Sequence, residues 1–223
     1  FIDPPDYTKI LDPFRYRDLN GYAYNAYDAS GQLIDGPVYF PMEDPGTITQ
    51  LAGTSSSNFM ASGCWGPEDT WYGVNYDGGL WTIDPEDGSM TLIGGSVGLH
   101  GLEYDDASGI LYGSDGSSLY TVDMATGATT LIGSHNVGFT VIGMAGDGAG
   151  NMYAVTVDFT AISDLYEIDL DTGNATSLGS TGMQLLYAQD LAFDKDNGLL
   201  YAAAYFGDGT PSGLYTIDTV TCN

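Results

Sequence analysis

The chain has 223 residues, of which 43% are hydrophobic, enough for a packed core in one large all-β domain or two small ones. Its 30 Asp and Glu residues against 4 Lys and Arg residues give a formal net charge of −26 at pH 7. That charge repels phosphate backbones, which argues against a nucleic-acid partner, and no apolar run approaches the roughly 18 residues of a membrane span.

The first 20 residues form an arm that precedes the repeated part of the chain. The arm contains the strand-like segment "DYTKILD" and three of the chain's four basic residues. Unpaired strand edges recruit further strands, so we expect the arm to complete the last repeat of its own molecule or of a neighbouring one. The residues assigned to this closure or assembly are Tyr7, Lys9, Ile10, Leu11, Arg15 and Arg17.

The remainder, residues 21–223, repeats one pattern. Copies read "LWTIDPEDGSMTLIGG" at 80–95, "LYTVDMATGATTLIGS" at 119–134 and "LYEIDLDTGNATSLGS" at 165–180, and a shortened "LYTIDTVTCN" occupies 214–223. Each copy alternates apolar and polar residues, breaks at an Asp-rich turn, and in the full copies alternates again. This pattern predicts a β-hairpin.

A second pair of strands precedes each hairpin. The pairs are "SGCWGPEDTWYGVNY" at 62–76, "HGLEYDDASGILYGSD" at 100–115, "IGMAGDGAGNMYAVTV" at 142–157 and "QDLAFDKDNGLLYAAAYF" at 189–206. Each repeat therefore predicts four short antiparallel strands, which is the unit of a β-propeller blade.

The number of blades depends on a weaker copy at residues 27–54, in which Tyr39 takes the place of Tyr120. Counting it gives an all-β propeller of five blades, closed by a strand from the arm. The alternative has four blades, with residues 46–54 as the closing strand and 1–43 as an extension. Five blades would keep Cys64 and Cys222 too far apart for a disulfide, whereas four blades would make their blades neighbours.

These repeats resemble those of secreted bacterial and archaeal β-propellers that carry LYTID-x-x-TG-x-x-TLIG repeats. The resemblance covers residues 21–223. It implies the propeller fold, and it implies little about function, because the repeated residues are turn and core positions and propellers host many unrelated activities. A first residue other than Met also suggests a processed chain, so we expect an extracellular or cell-surface location.

The recurring Asp residues are expected to be structural, because an Asp side chain accepts hydrogen bonds from the amides of its own turn. They are Asp84, Asp123, Asp169 and Asp218 in the hairpins and Asp28, Asp105, Asp147 and Asp194 in the preceding turns. The richest turn places Asp194, Asp196 and Asn197 together, and these hard oxygen ligands make it the candidate calcium site. Calcium is the one candidate cofactor, and no other is expected.

Departures from the repeat are the better functional candidates. Asp190 stands where three other blades have Gly, and Glu103 stands where the pattern gives Trp or Ala. His100 and His135 both fall at connections between blades, where histidines are expected to face solvent. We treat His100, Glu103 and Asp190 as candidate ligand-binding residues at the entrance of the propeller channel, where two carboxylates and a His suit a sugar or a metal.

No catalytic motif appears in the sequence, and none of its residues is assigned a catalytic role. We therefore expect a non-catalytic extracellular binding or structural scaffold that works through protein-protein contacts with itself or another surface protein. Self-assembly into a surface layer or filament is one form that such a scaffold takes. The alternative is a lectin or a glycoside hydrolase that acts on a glycan at the channel, which leaves enzymatic activity open.

Overall fold

The structure is a computed structural model that describes residues 19–26, 33, 35–51, 59–95, 97–187, 189–206 and 210–222. The secondary structure of these residues is almost entirely β-strand, with one short 3-10 helix at Pro67–Asp69. No helix among them has the length and apolarity needed to cross a membrane.

The described strands form five antiparallel sheets, which we number as blades 1 to 5 in chain order. Blade 1 contains β1 (Asn20–Asn25), β2 (Gly36–Pro41) and β3 (Thr49–Gln50). Blade 2 contains β4 (Met60–Trp65), β5 (Trp71–Asn75), β6 (Gly79–Ile83) and β7 (Met90–Gly95). Blade 3 contains β8 (Gly101–Asp105), β9 (Ile110–Ser114), β10 (Ser118–Val122) and β11 (Thr129–Ser134).

Blade 4 contains β12 (Thr140–Gly146), β13 (Met152–Val157), β14 (Asp164–Ile168) and β15 (Ala175–Ser180). Blade 5 contains β16 (Leu191–Asp194), β17 (Leu199–Ala204) and β18 (Gly213–Ile217). In every blade the strands pair in sequence order, each antiparallel to the next. The all-β, five-bladed β-propeller predicted from the repeats is confirmed.

The chain divides into two compact units. The first comprises Phe1–Ser56 and Pro85–Ser89 and contains blade 1, in which Tyr39 pairs with Tyr22 on one side and with Thr49 on the other. The second comprises Ser57–Asp84 and Met90–Asn223 and contains the strands of blades 2 to 5.

Within the second unit, the first strands of consecutive blades lie against each other: β4 against β8, β8 against β12, and β12 against β16. Leucines such as Leu80 and Leu102 form a fully buried cluster between blades 2 and 3. Met144 and Met152 belong to the cluster between blades 3 and 4. Each core therefore lies between two blades, so no blade buries its apolar face alone.

In blades 3 to 5 the recurring Asp of the hairpin turn acts as the sequence predicts, while Asp28 lies outside the described residues. Asp123 Oδ1 accepts hydrogen bonds from the amides of Ala125 (2.8 Å) and Thr126 (2.9 Å), and Asp169 and Asp218 repeat this geometry in blades 4 and 5. The donated amides lower the pKa of all three carboxyls. These carboxylates close the turn of the repeated hairpin.

The glycine of the "LIG" segment packs each blade against the next. A Cβ added at Gly133 on β11 would overlap the carbonyl oxygen of Thr172 in the hairpin turn of blade 4, and Gly94 meets Thr126 in the same way. In blade 5 Cys222 takes the place of Gly173 in this turn, and its Sγ would lie 3.2 Å from a Cβ at Gly179. The repeated glycine therefore reflects close approach of neighbouring blades.

Both cysteines are free and buried, as expected for five blades. Blade 5 ends at β18 among the described residues, with three strands where blades 2 to 4 have four. The arm residues Tyr7, Lys9, Ile10, Leu11, Arg15 and Arg17 lie outside the described part of the chain. The closing strand is therefore still a prediction.

Candidate functional site

The first candidate site surrounds Asp190, which immediately precedes β16 and is half-buried. Its Oδ1 accepts hydrogen bonds from Ser62 Oγ (2.8 Å) and from the amide of Leu191 (3.0 Å), while its Oδ2 accepts one from the amide of Gly63 (2.9 Å). Ser62 Oγ in turn accepts a hydrogen bond from the amide of Leu102 at 2.9 Å. One carboxylate thus links the first strands of blades 2 and 5, and the Ser62 hydroxyl extends the network to blade 3.

The environment of Asp190 also raises its affinity for a proton. Burial raises the pKa of the carboxyl to about 7, against the lowering effect of the donors from Gly63, Ser62 and Leu191. Burial dominates because the interior solvates a charge less well than water does. Both oxygens are already engaged by donors of the fold, so the observed geometry makes Asp190 a connector between blades.

Glu103 on β8 is 7% exposed. Its Oε1 lies 3.4 Å from Lys195 Nζ, which also contacts Asp106 Oδ2 at 2.7 Å. Burial raises the pKa of Glu103 to about 8, while the Lys195 charge and the amide of Gly146 lower it. Lys195 therefore offsets part of the cost of burying the Glu103 carboxyl group.

The structure brings Asp190 and Glu103 into one region. Both carboxylates act on the Cys64 thiol, whose pKa is raised chiefly by burial and secondarily by the charges of Glu103 and Asp190. His100 packs edge-on against Tyr76, with ring centroids 4.9 Å apart, and Asp190 contributes to the raised pKa of Tyr76 after burial. The role of His100, Glu103 and Asp190 in binding a ligand is still a prediction.

His135 corrects one expectation from the sequence, because it is fully buried rather than facing solvent. Its Nδ1 lies 2.9 Å from the carbonyl oxygen of Gly173, and its Nε2 lies 2.8 Å from Ser114 Oγ. A carbonyl only accepts, so Nδ1 carries the proton, and burial lowers the pKa of the ring. The imidazole links blades 3 and 4, a role that a position in a connection did not reveal.

In the candidate calcium turn, Asp194 serves its own loop. Its Oδ1 accepts the amides of Asp196 and Asn197, each at 3.1 Å, and its Oδ2 accepts Asn197 Nδ2 at 2.7 Å. Within the described residues, His, Cys, Asp and Glu side chains form no group of three or more suited to a metal ion. Calcium at Asp194, Asp196 and Asn197 is still a prediction, and its binding would have to displace the Asn197 amide.

Sequence analysis missed a group of exposed aromatic side chains in blades 4 and 5. Phe159 lies between β13 and β14, Tyr187 lies between β15 and β16, and Tyr205 directly follows β17. Their exposed fractions are 60%, 62% and 45%. The Phe159 and Tyr187 ring centroids are 5.4 Å apart, and those of Tyr187 and Tyr205 are 5.9 Å apart. We call these three residues the aromatic platform.

An open groove of about 660 Å³ adjoins the aromatic platform at Phe159. Its walls include Phe139 and Asp158, and the groove runs between the loops of blades 3 and 4. The sequence held a partial signal for this surface, because Phe159 and Tyr187 are aromatic residues outside the predicted strands. Tyr22, another aromatic residue of the sequence, packs against Tyr39 within blade 1, with ring centroids 6.2 Å apart.

Comparison with known proteins identifies the fold. No protein-family description and no curated protein sequence matches the chain. Among solved structures, it resembles one from the crystal structure of a nidogen/laminin complex, with a TM-score of 0.57 and 14% identity over 83% of this chain and 69% of the other.

Two bacterial structures are similar to the same degree. An auxiliary nutrient binding protein from Bacteroides thetaiotaomicron has a TM-score of 0.53 and 15% identity over 82% of this chain and 52% of the other. TolB from Acinetobacter baumannii has a TM-score of 0.52 and 13% identity over 89% of this chain and 61% of the other. The chain therefore spans only about half to two thirds of these two proteins. At such identities the likeness shows the fold, and any function must be argued from the residues.

Proposed function

We propose that the protein is a non-catalytic binding scaffold that works outside the cytoplasm through protein-protein contacts. One observation carries this proposal. The unusual carboxylate Asp190 is consumed in hydrogen bonds that join blades, whereas bulky aromatic side chains are left exposed in the loops of blades 4 and 5. Contiguous exposed apolar groups mark interaction sites in soluble proteins.

The solved structures support the same class of function. One comes from a complex between nidogen and laminin, and another is described as a nutrient binding protein. The net charge of −26 attracts positively charged groups, which favours a partner with basic side chains. A fold of this kind offers a rigid support, on which loops can vary without loss of the blades.

Self-assembly into a surface layer or filament is the finer form of this proposal. β18 carries no further strand on its outer side among the described residues, so its backbone edge can accept one. The arm offers that strand together with Lys9, Arg15 and Arg17, which an acidic body attracts. Pairing within one molecule would close blade 5, and pairing with the next molecule would propagate a polymer.

Electron microscopy of the native material, with the full chain and with residues 1–20 deleted, tests the assembly. We expect the deletion either to abolish polymers or to lower the stability of a monomer. A truncated protein that is as stable and as assembled as the full chain would contradict both forms of pairing.

A second candidate, glycoside hydrolysis, is favoured by one specific observation. Carboxyls with a pKa near 7 or 8, as at Asp190 and Glu103, hold a proton at neutral pH as a general acid must. A glycan screen with wild-type protein, Asp190→Asn and Glu103→Gln tests it. If the wild type hydrolyses a glycan and both substitutions abolish this activity, the protein is an enzyme and the scaffold proposal is wrong.

A further inference from the structure

The aromatic platform is held in place by hydrogen bonds to the backbone at two of its three members. Gln184 Nε2 donates to the carbonyl oxygen of Phe159 at 3.1 Å. The carbonyl oxygen of Tyr205 accepts from Gln189 Nε2 at 2.9 Å and from the amide of Leu186 at 3.2 Å. These bonds tie the segment that carries Tyr187 to the loops that carry the other two rings. The platform is therefore preorganised for binding.

The backbone of Tyr187 is itself unusual. Its φ angle is +63°, in the left-handed region that costs a residue with a side chain about 1 kcal/mol or more. Despite this cost, the ring is 62% exposed and contacts only the two other platform rings among the ring contacts of the described residues. Strain that holds a large apolar group in solvent favours a role in binding over a role in the core.

The negative charge around the aromatic platform favours a positively charged ligand. Asp158 adjoins Phe159 in the wall of the groove, and the only basic residue in the described part of the chain, Lys195, is paired with Glu103 and Asp106. The faces of aromatic rings attract cations, and a surrounding negative field adds to that attraction. Arginine suits such a surface best, since its planar guanidinium stacks on a ring while it donates to a carboxylate.

We propose that the aromatic platform and the adjoining groove bind an arginine-bearing segment of a partner protein. In this arrangement one guanidinium stacks on Tyr187 or Tyr205, and another side chain enters the groove beside Phe159 and Asp158. This inference rests on the proposed binding function and names its site and the chemistry of its partner. Aromatic and arginine anchors are also the groups that dominate protein-protein binding energies.

The test is titration of the full chain with a hexa-arginine peptide and with a hexa-lysine peptide at fixed salt concentration. We expect hexa-arginine to bind more tightly. Tyr187→Ala or Tyr205→Ala should weaken hexa-arginine by about three- to tenfold and remove most of its advantage over hexa-lysine. Because these substitutions leave the net charge unchanged, the loss isolates the contribution of the rings.

Two further variants control the result. Tyr187→Phe keeps the ring and should bind as the wild type does, and Leu131→Ala removes a side chain that is also 60% exposed but lies on β11. Equal affinity of wild type and both alanine variants would overturn the inference, since binding would then be diffuse attraction to the acidic surface. Platform-dependent binding of a neutral oligosaccharide in place of the peptide would also overturn it. Either result leaves a non-catalytic scaffold intact, whereas glycan hydrolysis would remove the proposed function itself.

Discussion

The region around Asp190 and the aromatic platform lie close in sequence, yet they use unusual residues in opposite ways. Asp190 is three residues from Tyr187, and both of its carboxylate oxygens accept hydrogen bonds from donors in blades 2 and 5. Tyr187 has a strained backbone and a ring exposed to solvent. The contrast teaches that a departure from a repeat can serve the scaffold, and that exposure and strain point more directly to binding.

Removal of the Asp190 carboxylate should give the largest loss of stability, because it removes the hydrogen bonds that join the blades. Asp190→Ala leaves the Ser62 hydroxyl and the Gly63 amide without their acceptor, which should lower the free energy of unfolding by about 3 kcal/mol. Urea denaturation measures this. Asp158→Ala is the matched control, because among the described residues its carboxylate accepts hydrogen bonds only from Thr160, and its loss should cost less than about 1 kcal/mol. Similar costs for the two would contradict the connector role.

A methyl group added where two neighbouring blades approach closely should have the next largest effect on stability. Gly133→Ala places a Cβ against the carbonyl oxygen of Thr172 in the next blade, and the backbone there has little freedom to move. We expect a loss of about 2 kcal/mol in thermal or urea unfolding. Gly213→Ala, where nothing lies within 4 Å of the added Cβ, should change stability by less than about 0.5 kcal/mol. A harmless Gly133→Ala would show that the blades do not pack through this glycine.

The pH dependence of stability tests whether the buried carboxyl groups belong to the scaffold. Glu103 has a pKa of about 8 in the folded protein, above its ordinary value of 4.5. Folding is therefore more favourable when this carboxyl group is protonated. The corresponding stability is present in full below about pH 4.5 and is lost as pH rises towards 8. Glu103→Gln should flatten this decline in urea denaturation between pH 5 and 8, and Asp190 should leave a residual slope below pH 7. Parallel profiles for wild type and variant would exclude Glu103 as a source.

The smallest expected effect on stability belongs to the platform. Tyr187→Gly relieves the positive φ angle while it removes two ring contacts, so the free energy of unfolding should change by less than about 1 kcal/mol. Binding of the arginine peptide should nevertheless weaken. A large loss of stability would show that Tyr187 supports the fold and would weaken its assignment to a binding surface.

The blades were predictable from sequence because their signals are local. Period-two alternation and Asp-Gly turns lie within about 16 residues of one another, and the hydrogen bonds of Asp123 confirm that local chemistry. The partners of Asp190 in blade 2, Ser62 and Gly63, are more than 120 residues away in the chain, so no pattern in one sequence reveals them. The same reason hid the burial of His135, whose ring contacts residues from two different blades.

The platform was not predicted because its three rings come from three separate connections, and connections have no period to read. The sequence does show Phe159 and Tyr187 outside the predicted strands, but it places Tyr205 within one, and only the fold brings the rings of Phe159 and Tyr205 to within 6 Å of the Tyr187 ring. The hydrogen bonds of Gln184 and Gln189 that order these loops are equally invisible in a single sequence.

The most direct test of the division between scaffold and binding surface is titration of folded Asp190→Asn with hexa-arginine. Circular dichroism first establishes that the variant is folded, and Glu103→Gln serves as a second interior variant. We predict that both bind the peptide with wild-type affinity, while Tyr187→Ala does not. Loss of binding in the folded interior variants, with retention in Tyr187→Ala, would contradict the account and place the site at the inner strands.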